Sequence, residues 1–304
     1  MSLQTQFLTA IGVVTLTYFA IKSISFIYTF FIRASSLPRY HHGPSHPWAL
    51  ITGASDGIGL GFAQELAQHH FSLILHGRNA SKLGRIQSDL VKLHPSISVE
   101  TWVVDATTSV AIEETDLPQI IEGRNLTVLV NNVGKGGAAT TPKEIDDMIN
   151  INLRFAVHLT SYLLPKLASN GPSVVLNVGS SAEMGSPWLS VYSGSKGFIT
   201  SWSKSLAAEV KAEGLDVEVL CFKVSEVNTA GSPAKEGLTV VAARPYAKMA
   251  LGRVGCGIRC VSPYWLAAIL RGFAESLPDW MLERMMIQVM TKRRKTRKDR
   301  LKHA

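Results

Sequence analysis

The sequence predicts an α/β fold in which a doubly wound parallel sheet carries helices on both faces. Six short apolar runs rich in β-branched residues recur along the chain, from WALITGAS to VEVLCFKVS. Stretches of helical length and spacing, such as LGFAQELAQHH, separate them. Strands that are apolar throughout and alternate with helices are typical of a parallel sheet covered on both sides. We expect one such domain over residues 48–262, since α/β chains of about 250 residues commonly form a single domain.

An apolar block precedes this domain. Residues 7–32 read FLTAIGVVTLTYFAIKSISFIYTFFI and contain one charged side chain, Lys22. A helix of this length exceeds the roughly 30 Å hydrocarbon core of a bilayer. A secretory signal peptide has a basic N-terminal region and a shorter apolar stretch, and this block fits neither. We therefore predict a membrane anchor over residues 1–32, which either spans the membrane or lies in its plane.

The residues after the apolar block predict how the domain is attached. Arg33 and Arg39 follow the block, so the positive-inside rule places the domain in the cytosol. Residues 33–47, RASSLPRYHHGPSHP, are rich in Pro, Ser and His and are predicted to form a linker. Its histidines have neither Cys nor carboxylate neighbours, so we expect no metal site there.

Charge and cysteine content limit the class of partner. The net charge is +8, but the last fourteen residues, TKRRKTRKDRLKHA, carry seven of these charges. The rest of the chain is nearly neutral, so we expect no nucleic-acid groove, whereas a basic tail suits an anionic membrane surface. The cysteines, Cys221, Cys256 and Cys260, are odd in number, which favours a reducing compartment.

A Gly-rich turn connects the first predicted strand and helix of the domain. ALITGASDGIGLGFAQEL places Gly53, Gly57 and Gly59 in the spacing Gly-x3-Gly-x-Gly. Such glycines let the backbone approach a diphosphate, which the helix N-terminus then stabilises. In this strand–turn–helix context the pattern predicts a Rossmann-type dinucleotide site, to which we also assign Ser55 and Ile58.

The ends of the following strands predict the nature of the dinucleotide. An NAD site would place an acidic residue after the second strand, whereas LILHGRN places Gly77 and Arg78 there. Arg78 could bind a 2′-phosphate through charge-assisted hydrogen bonds, so NADP(H) is predicted. Asp105 of VVDA could bind the adenine edge, and Asn131 of NNVG ends the next strand beside the same crevice.

A phenol and an ammonium lie four positions apart in VYSGSKGF. Tyr192 and Lys196 would share one face of a helix. A nearby ammonium favours the phenolate, and lowering the pKa of a tyrosine from about 10 makes it a usable general acid or base at neutral pH. The spacing alone is common by chance, and it gains weight from the Gly-rich turn and from NNVG.

Together these motifs resemble the short-chain dehydrogenase/reductase family over roughly residues 48–228. The resemblance implies a Tyr that exchanges a proton with the substrate oxygen and a Lys that lowers the pKa of that Tyr and binds the nicotinamide ribose. It also implies a Ser that holds the oxygen and an Asn that supports a water relay. At the matching positions of this chain the catalytic residues are Tyr192, Lys196, Ser180 and Asn152.

The chain departs from the family pattern at two places. The Ser-to-Tyr spacing is one residue short, so Ser180 is expected together with a deletion in SAEMGSPW, and Ser181 is the alternative. After the sixth strand, CFKVSEVNT replaces the family's Pro-Gly. Val227 and Thr229 still resemble its Val-x-Thr, which implies contacts with the nicotinamide amide and the phosphate.

A narrower resemblance is to the branch of membrane-bound very-long-chain 3-oxoacyl-CoA reductases and 17β-hydroxysteroid dehydrogenases. It rests on TGASDGIG, NNVGK, MININL, LNVGS and YSGSK, with the apolar block and the basic end. It implies an NADPH-dependent enzyme at the endoplasmic reticulum membrane that reduces a ketone on a hydrophobic substrate, first of all a 3-oxoacyl-CoA. A steroid or secondary-metabolite ketone is an alternative, as is an inactive membrane-bound interaction protein.

The C-terminal part is the least informative. Residues 229–257 follow no pattern that predicts a structure, although they would cover the substrate. Residues 263–304 begin PYWLAAILRGF and have helical spacing interrupted by Pro278. We predict helices and a basic tail there, with the helices either buried or leaning on a membrane. The family resemblance also implies that a homodimer could form through helices.

Overall fold

The computed structural model describes residues 2–44, 46–108 and 111–302, without the side chains of 296–302. The strands in this part of the chain are β1 (Trp48–Ile51), β2 (Ser72–Gly77), β3 (Val99–Val103), β4 (Leu126–Asn131), β5 (Ser173–Val178), β6 (Val217–Phe222), β7 (Val227–Asn228), β8 (Val241–Ala242) and β9 (Cys260–Val261). The α-helices are α1 (Leu3–Ile27), α2 (Gly57–Gln68), α3 (Ala80–Leu93), α4 (Leu117–Ile121), α5 (Pro142–Ile149), α6 (Phe155–Ser169), α7 (Ser190–Ala212), α8 (Ala243–Leu251), α9 (Trp265–Ser276) and α10 (Asp279–Lys302).

The central sheet is parallel and has the strand order β3-β2-β1-β4-β5-β6-β9. Its order reverses beside β1, since β2 lies on one side of that strand and β4 on the other. In open sheets of this kind, ligands bind at the carboxyl ends of the strands near the reversal. The short strands β7 and β8 form a separate parallel pair.

Two apolar layers cover the sheet, because successive residues of each strand point to opposite faces. In β1, Ala49 and Ile51 contribute to one layer, and Trp48 and Leu50 contribute to the other. The first layer is completed by α2, α3 and α8, and the second by α4, α6 and α7. This arrangement confirms the predicted doubly wound parallel α/β fold. Strand β9 was not predicted, because two residues carry no periodic signal.

The N-terminal segment forms a long apolar helix. Leu3–Ile32 is long and apolar enough to cross a membrane. Its most apolar stretch has a mean hydropathy of 1.7 and is not buried against the protein, whereas Thr29 near its end is buried. Its last turn, Tyr28–Ile32, is π-helical. At the other end of the chain, α9 and α10 are helical as predicted, and Pro278 lies between them. Of the predicted basic tail, the side chains after Lys295 lie outside the described residues.

The predicted linker is packed onto the domain. Leu37 and Tyr40 are buried in the first apolar layer. The Tyr40 hydroxyl donates a hydrogen bond to the Glu218 carboxylate of β6, and its carbonyl oxygen accepts one from the Thr127 hydroxyl. Polar composition did not reveal these contacts, because their partners are distant in sequence. Ser45 lies outside the described residues, and the proposed boundaries at residues 32, 47 and 262 stay predictions.

His76 is buried between aromatic rings near the end of β2. The centre of its ring lies 4.6 Å from the Trp102 ring centre and 4.7 Å from that of Phe155. Its Nδ1 accepts a hydrogen bond of 3.3 Å from the backbone N–H of Gly53. Burial lowers the pKa of His76 to about 3, so the ring is neutral. Its Nδ1 therefore remains an acceptor for the Gly-rich turn.

We expect His76 to make stability depend on pH. A histidine in the unfolded chain titrates near pH 6.5, so between there and about pH 3 the unfolded state binds one more proton than the fold. Its stabilising contribution is therefore lost as pH falls below about 6.5, by about 1.4 kcal/mol per pH unit. The thermal midpoint of the detergent-solubilised protein should fall more steeply from about pH 7 to about pH 5 than that of His76→Asn. The Asn oxygen can replace Nδ1 as acceptor without titrating, and parallel curves would contradict this role.

Candidate active site

The predicted site residues lie at the carboxyl edge of the sheet. The Gly-rich turn follows β1, the NNVG segment follows β4, and Ser180 follows β5. Helix α7 carries Tyr192 and Lys196 past the same edge. The edge therefore has a nucleotide end near β1 and β2 and a reacting end near β5 and α7. Among the described residues, no group of His, Cys, Asp and Glu is arranged to hold a metal ion.

The Gly-rich turn forms a close-packed cradle at the N-terminus of α2. Gly53 and Gly57 have φ angles of +65° and +53°, a region that favours glycine. A Cβ atom on Gly59 would lie 2.2 Å from the carbonyl oxygen of Gly53, so a larger residue cannot be accommodated. The Asp56 carboxylate caps the helix by accepting a 2.6 Å hydrogen bond from the N–H of Gly57. This backbone fits the diphosphate of a dinucleotide, which needs a tight turn at a helix N-terminus.

The cradle is held by the strand that lies next to β1. The side-chain nitrogen of Asn132 donates to the carbonyl oxygen of Thr52 at 2.9 Å, and its backbone N–H donates to the Thr52 hydroxyl at 2.8 Å. Asn131, the predicted residue, is buried instead, and its Nδ2 donates to Thr160 and to Asn177 at 2.8 Å each. The structure thus gives the side-chain amide of Asn131 a role inside the protein, and Asn132 is the residue that reaches the turn.

The guanidinium of Arg78 is exposed at the nucleotide end and accessible to an anion. Its side chain is 76% exposed, and its guanidinium lies 4.0 Å from the carboxylate of Asp105. The Asp105 carboxylate also accepts hydrogen bonds from the N–H and hydroxyl of Thr107 at 2.9 Å. The backbone hydrogen bond from Thr107 and the neighbouring Arg78 help to hold the pKa of Asp105 below its usual range. The Ser55 hydroxyl faces this region, since a Cβ atom on Gly77 would lie 3.6 Å from it.

Lys82 is a second cation at the nucleotide end. It lies in the first turn of α3, and its ammonium is 2.7 Å from the Asp56 carboxylate. Lys82 was not predicted from the sequence, although its position four residues after Arg78 could have suggested it. Ile58, which was assigned to the site, is partly buried and packs against the first apolar layer.

Residues after β6 reach across to the Gly-rich turn. The Cγ2 atom of Thr229 lies 3.1 Å from where a Cβ atom of Gly57 would be, and Val227 is buried in β7. Gly57 and Thr229 also line a cleft of about 410 Å³. The structure therefore brings Thr229 of the unusual CFKVSEVNT segment next to the Gly-rich turn, and the contacts of Val227 and Thr229 with a nucleotide stay predictions.

Lys196 is buried at the reacting end. Its Nζ donates a hydrogen bond of 2.8 Å to the carbonyl oxygen of Val178, the last residue of β5. The same atom lies 6.0 Å from the centre of the Tyr192 ring, since the two residues share a face of α7. Burial lowers the pKa of Lys196 to about 8, so its amine is charged at neutral pH.

Asn152 lies on a π-helical turn, Asn150–Arg154, between α5 and α6. Such turns are rare and occur often at functional sites. Its Oδ1 accepts a 2.7 Å hydrogen bond from the N–H of Lys135, and its Nδ2 donates to the Lys135 carbonyl oxygen and to the Ser195 hydroxyl at 3.0 Å each. A Cβ atom on Gly134 would lie 3.0 Å from Asn152 Oδ1 and 3.5 Å from Lys196 Nζ. The loop after β4 therefore lies close to both Asn152 and Lys196 at Gly134.

The two candidate serines have different surroundings. The Ser180 side chain is buried beside the Tyr192 hydroxyl, and its Oγ accepts a 3.1 Å hydrogen bond from the N–H of Ala182. The Ser181 hydroxyl donates to the carbonyl oxygen of Val224 at 3.1 Å, so this hydroxyl helps to hold the loop that follows β5. This geometry favours Ser180 as the serine that faces the reacting phenol.

Burial controls the titration of Tyr192. It raises the pKa of Tyr192, and the neighbouring Ser180 hydroxyl lowers that pKa only in part. The sequence had suggested a pKa lowered by Lys196, but the Lys196 amine is bonded to Val178. The phenol is therefore protonated at neutral pH and suited to donate a proton.

Ser195 was missed by sequence analysis. Its hydroxyl donates a 2.7 Å hydrogen bond to the carbonyl oxygen of Tyr192 and accepts the one from Asn152, so it connects the π-helical turn to α7. The signal was present in VYSGSKGF, where a hydroxyl three residues after the Tyr is the right distance for a contact within a helix.

Comparisons with known proteins identify the family of the chain. Residues 47–236 match the model of the short chain dehydrogenase family. A very-long-chain 3-oxoacyl-CoA reductase of Schizosaccharomyces pombe is 33% identical over 298 residues, covering 91% of this chain and 85% of that protein. The protein of the same name from Pyricularia oryzae is 30% identical over 275 residues, covering 85% and 82%.

Solved structures share the fold at lower identity. A 7β-hydroxysteroid dehydrogenase superposes with a TM-score of 0.71 at 20% identity, covering 82% of this chain and 98% of that one. A short-chain dehydrogenase from Sphingobium yanoikuyae, in complex with NADPH, has a TM-score of 0.63 at 21% identity, covering 77% and 97%. The extent of the family match, over a sheet edge that joins a Gly-rich turn to a buried Tyr–Lys pair, establishes that this chain belongs to the short-chain dehydrogenase family of oxidoreductases.

Proposed function

We propose that this enzyme reduces the 3-oxo group of a long-chain acyl-CoA with NADPH at the endoplasmic reticulum membrane. The observation that carries the proposal is the contact of Ser180 with the protonated phenol of Tyr192, at the same sheet edge as the Gly-rich turn. The relatives named very-long-chain 3-oxoacyl-CoA reductase, which align along most of this chain, support the substrate class.

NADP(H) fits the residues of the nucleotide end. The turn at Gly53 and Gly57 would hold the diphosphate, and Thr229 would close over it. Arg78 and Lys82 would bind the 2′-phosphate, because both cations lie where the second strand meets its helix. When bound, NADPH supplies the hydride that a ketone needs at its carbonyl carbon.

The protein supplies the proton and the orientation. Ser180 would hold the carbonyl oxygen beside the Tyr192 hydroxyl, which donates its proton to that oxygen. The charged amine of Lys196 stabilises the phenolate that remains, and its bond to Val178 keeps it in place. Asn152 fixes the loop at Lys135 and, through Ser195, the register of α7. Its part in a water relay stays a prediction.

Membrane attachment is part of the proposal. The apolar helix Leu3–Ile32 is long enough to span a bilayer, and its most hydrophobic stretch is not covered by the protein. Arg33 and Arg39 follow it, and by the positive-inside rule they support a catalytic domain on the cytosolic side. A hydrophobic acyl substrate suits an enzyme held at a membrane surface. Formation of a homodimer stays a prediction.

Turnover by the detergent-solubilised full chain tests the reaction. We expect NADPH oxidation with a long-chain 3-oxoacyl-CoA, and a loss of about 10²- to 10⁴-fold in Tyr192→Phe, because the proton donor is removed. NADPH binding, measured by fluorescence, should be retained in this variant. Faster turnover of a steroid ketone would contradict the substrate class. Absence of NADPH oxidation with either ketone would contradict the reaction.

Exchange of Arg78 tests the nucleotide assignment. Arg78→Leu should weaken NADPH binding by about 10- to 150-fold, the equivalent of a lost hydrogen bond to a charged group, and leave NADH binding nearly unchanged. Arg85→Leu removes an exposed cation from the neighbouring helix α3 and serves as the control. Equal weakening of NADPH and NADH in Arg78→Leu would show that Arg78 does not bind the 2′-phosphate.

The pH profile tests the role of Lys196. Since burial lowers the pKa of Lys196 to about 8, its charge is present below that pH and lost above it. We expect kcat/KM for ketone reduction to fall as pH rises through about 8, and Lys196→Arg to lose this fall at a lower overall rate. Lys204→Arg, an exposed position on α7, should keep the wild-type profile. A Lys196→Arg profile identical to that of the wild type would contradict the assignment.

A further inference from the structure

Helix α9 exposes a row of large apolar side chains. Trp265, Ile269 and Phe273 follow one another at intervals of four residues and so lie along one face. Leu270 is exposed beside them, and Phe273 is 62% exposed. Trp280, in the first turn of the following helix α10, is also exposed. Soluble protein surfaces seldom carry a continuous aromatic and aliphatic row of this kind, which points to a binding surface.

This row is continuous with the end of the N-terminal apolar helix. The Trp265 ring centre lies 6.2 Å from that of Phe31, which belongs to the apolar helix Leu3–Ile32. A residue in contact with Phe31 lies at the depth where that helix leaves the hydrocarbon. Tryptophan is enriched at this level of a bilayer, because its ring is apolar and its N–H remains near water.

The junction between the apolar helix and the domain is fixed. The guanidinium of Arg253 lies 4.5 Å from the Phe30 ring centre and donates to the carbonyl oxygens of Thr29 and Phe30. Arg33 donates to the carbonyl oxygen of Val254 at 2.7 Å, and the Ser35 hydroxyl donates to that of Leu251. These contacts prevent the domain from swinging about the helix, so they set the height of α9 relative to a bilayer.

We propose that the exposed face of α9 lies in the interfacial layer of the bilayer that α1 enters. This inference rests on the membrane attachment in the proposed function and adds a second, in-plane contact to it. The occupant is lipid because the face adjoins an apolar helix whose most hydrophobic stretch is not covered by the protein. An amphipathic helix with an aromatic and aliphatic face is suited to this position.

The opposite face of α9 forms an ion pair with the loop that follows Ser180. The Arg271 side chain is 9% exposed and lies 2.6 Å from the carboxylate of Glu183, which lies three residues after Ser180. Lys223 approaches the same carboxylate to 3.1 Å. Helix α9 therefore contacts lipid with one face and the loop that follows Ser180 with the other. This places the reacting end beside the membrane surface, from which a long acyl chain would enter.

Site-specific quenching in vesicles tests the inference. The full chain, with Cys256→Ser and Cys260→Ser to leave only the buried Cys221, would carry one further cysteine labelled with an environment-sensitive fluorophore. Phe273→Cys reports on α9, Val14→Cys on α1, and Leu93→Cys serves as the control. Leu93 is 73% exposed and ends α3, which packs on β3 at the sheet edge opposite β9. The vesicles would be phosphatidylcholine with or without brominated chains.

We expect brominated lipid to quench the labels at positions 273 and 14 several-fold more than the label at 93. Quenching at 14 with none at 273 would overturn the interfacial position of α9 and leave the membrane attachment standing. Quenching at neither position would overturn the attachment itself. Ile269→Cys, on the same face, replaces Phe273→Cys if that variant does not fold.

Discussion

The hydrogen bond made by the buried ammonium of Lys196 is the interaction on which the active site depends. A charge removed from water needs a partner, and the carbonyl oxygen at the end of β5 provides one. This bond fixes α7 against the strand that leads to Ser180, so the phenol of Tyr192 and the serine hydroxyl are brought together. The absence of a side chain at Gly134 lets the next loop approach the same ammonium. A larger residue there would displace either Asn152 or Lys196.

The fold was predictable because it follows from repeated local signals. The apolar runs and the helical stretches between them specify a parallel sheet, and the Gly-rich turn marks its nucleotide end. The chemical residues, Ser180, Asn152, Tyr192 and Lys196, came from motif resemblance, and their spacing alone did not distinguish Ser180 from Ser181. In the structure the carbonyl oxygen of Val224, far along the chain, binds the Ser181 hydroxyl, and this contact favours Ser180.

What the sequence could not predict depends on contacts between distant segments. The two adjacent asparagines at the end of β4 cannot be distinguished from the sequence. In the structure, Asn131 donates hydrogen bonds to the buried Thr160 and Asn177. Asn132 donates to Thr52 at the Gly-rich turn. The pKa of Tyr192 depends on how deeply α7 is covered, and burial outweighed the charge that the spacing suggested. Residues 229–257, which were expected to cover the substrate, include helix α8. Its buried residues Tyr246, Ala247, Ala250 and Leu251 have helical spacing and pack in the first apolar layer, so this helix covers the sheet.

The packing of residues 33–47 changes how the enzyme can be divided. Tyr40 supplies the Glu218 carboxylate with a hydrogen-bond partner, and Leu37 fills the apolar layer beneath α8. This stretch is thus the first piece of the catalytic body, although its composition resembles a spacer. A water-soluble version trimmed at the start of β1 would lose part of its own interior. The proper place to cut lies within the hydrophobic helix, ahead of Arg33, so that the docked stretch stays with the sheet.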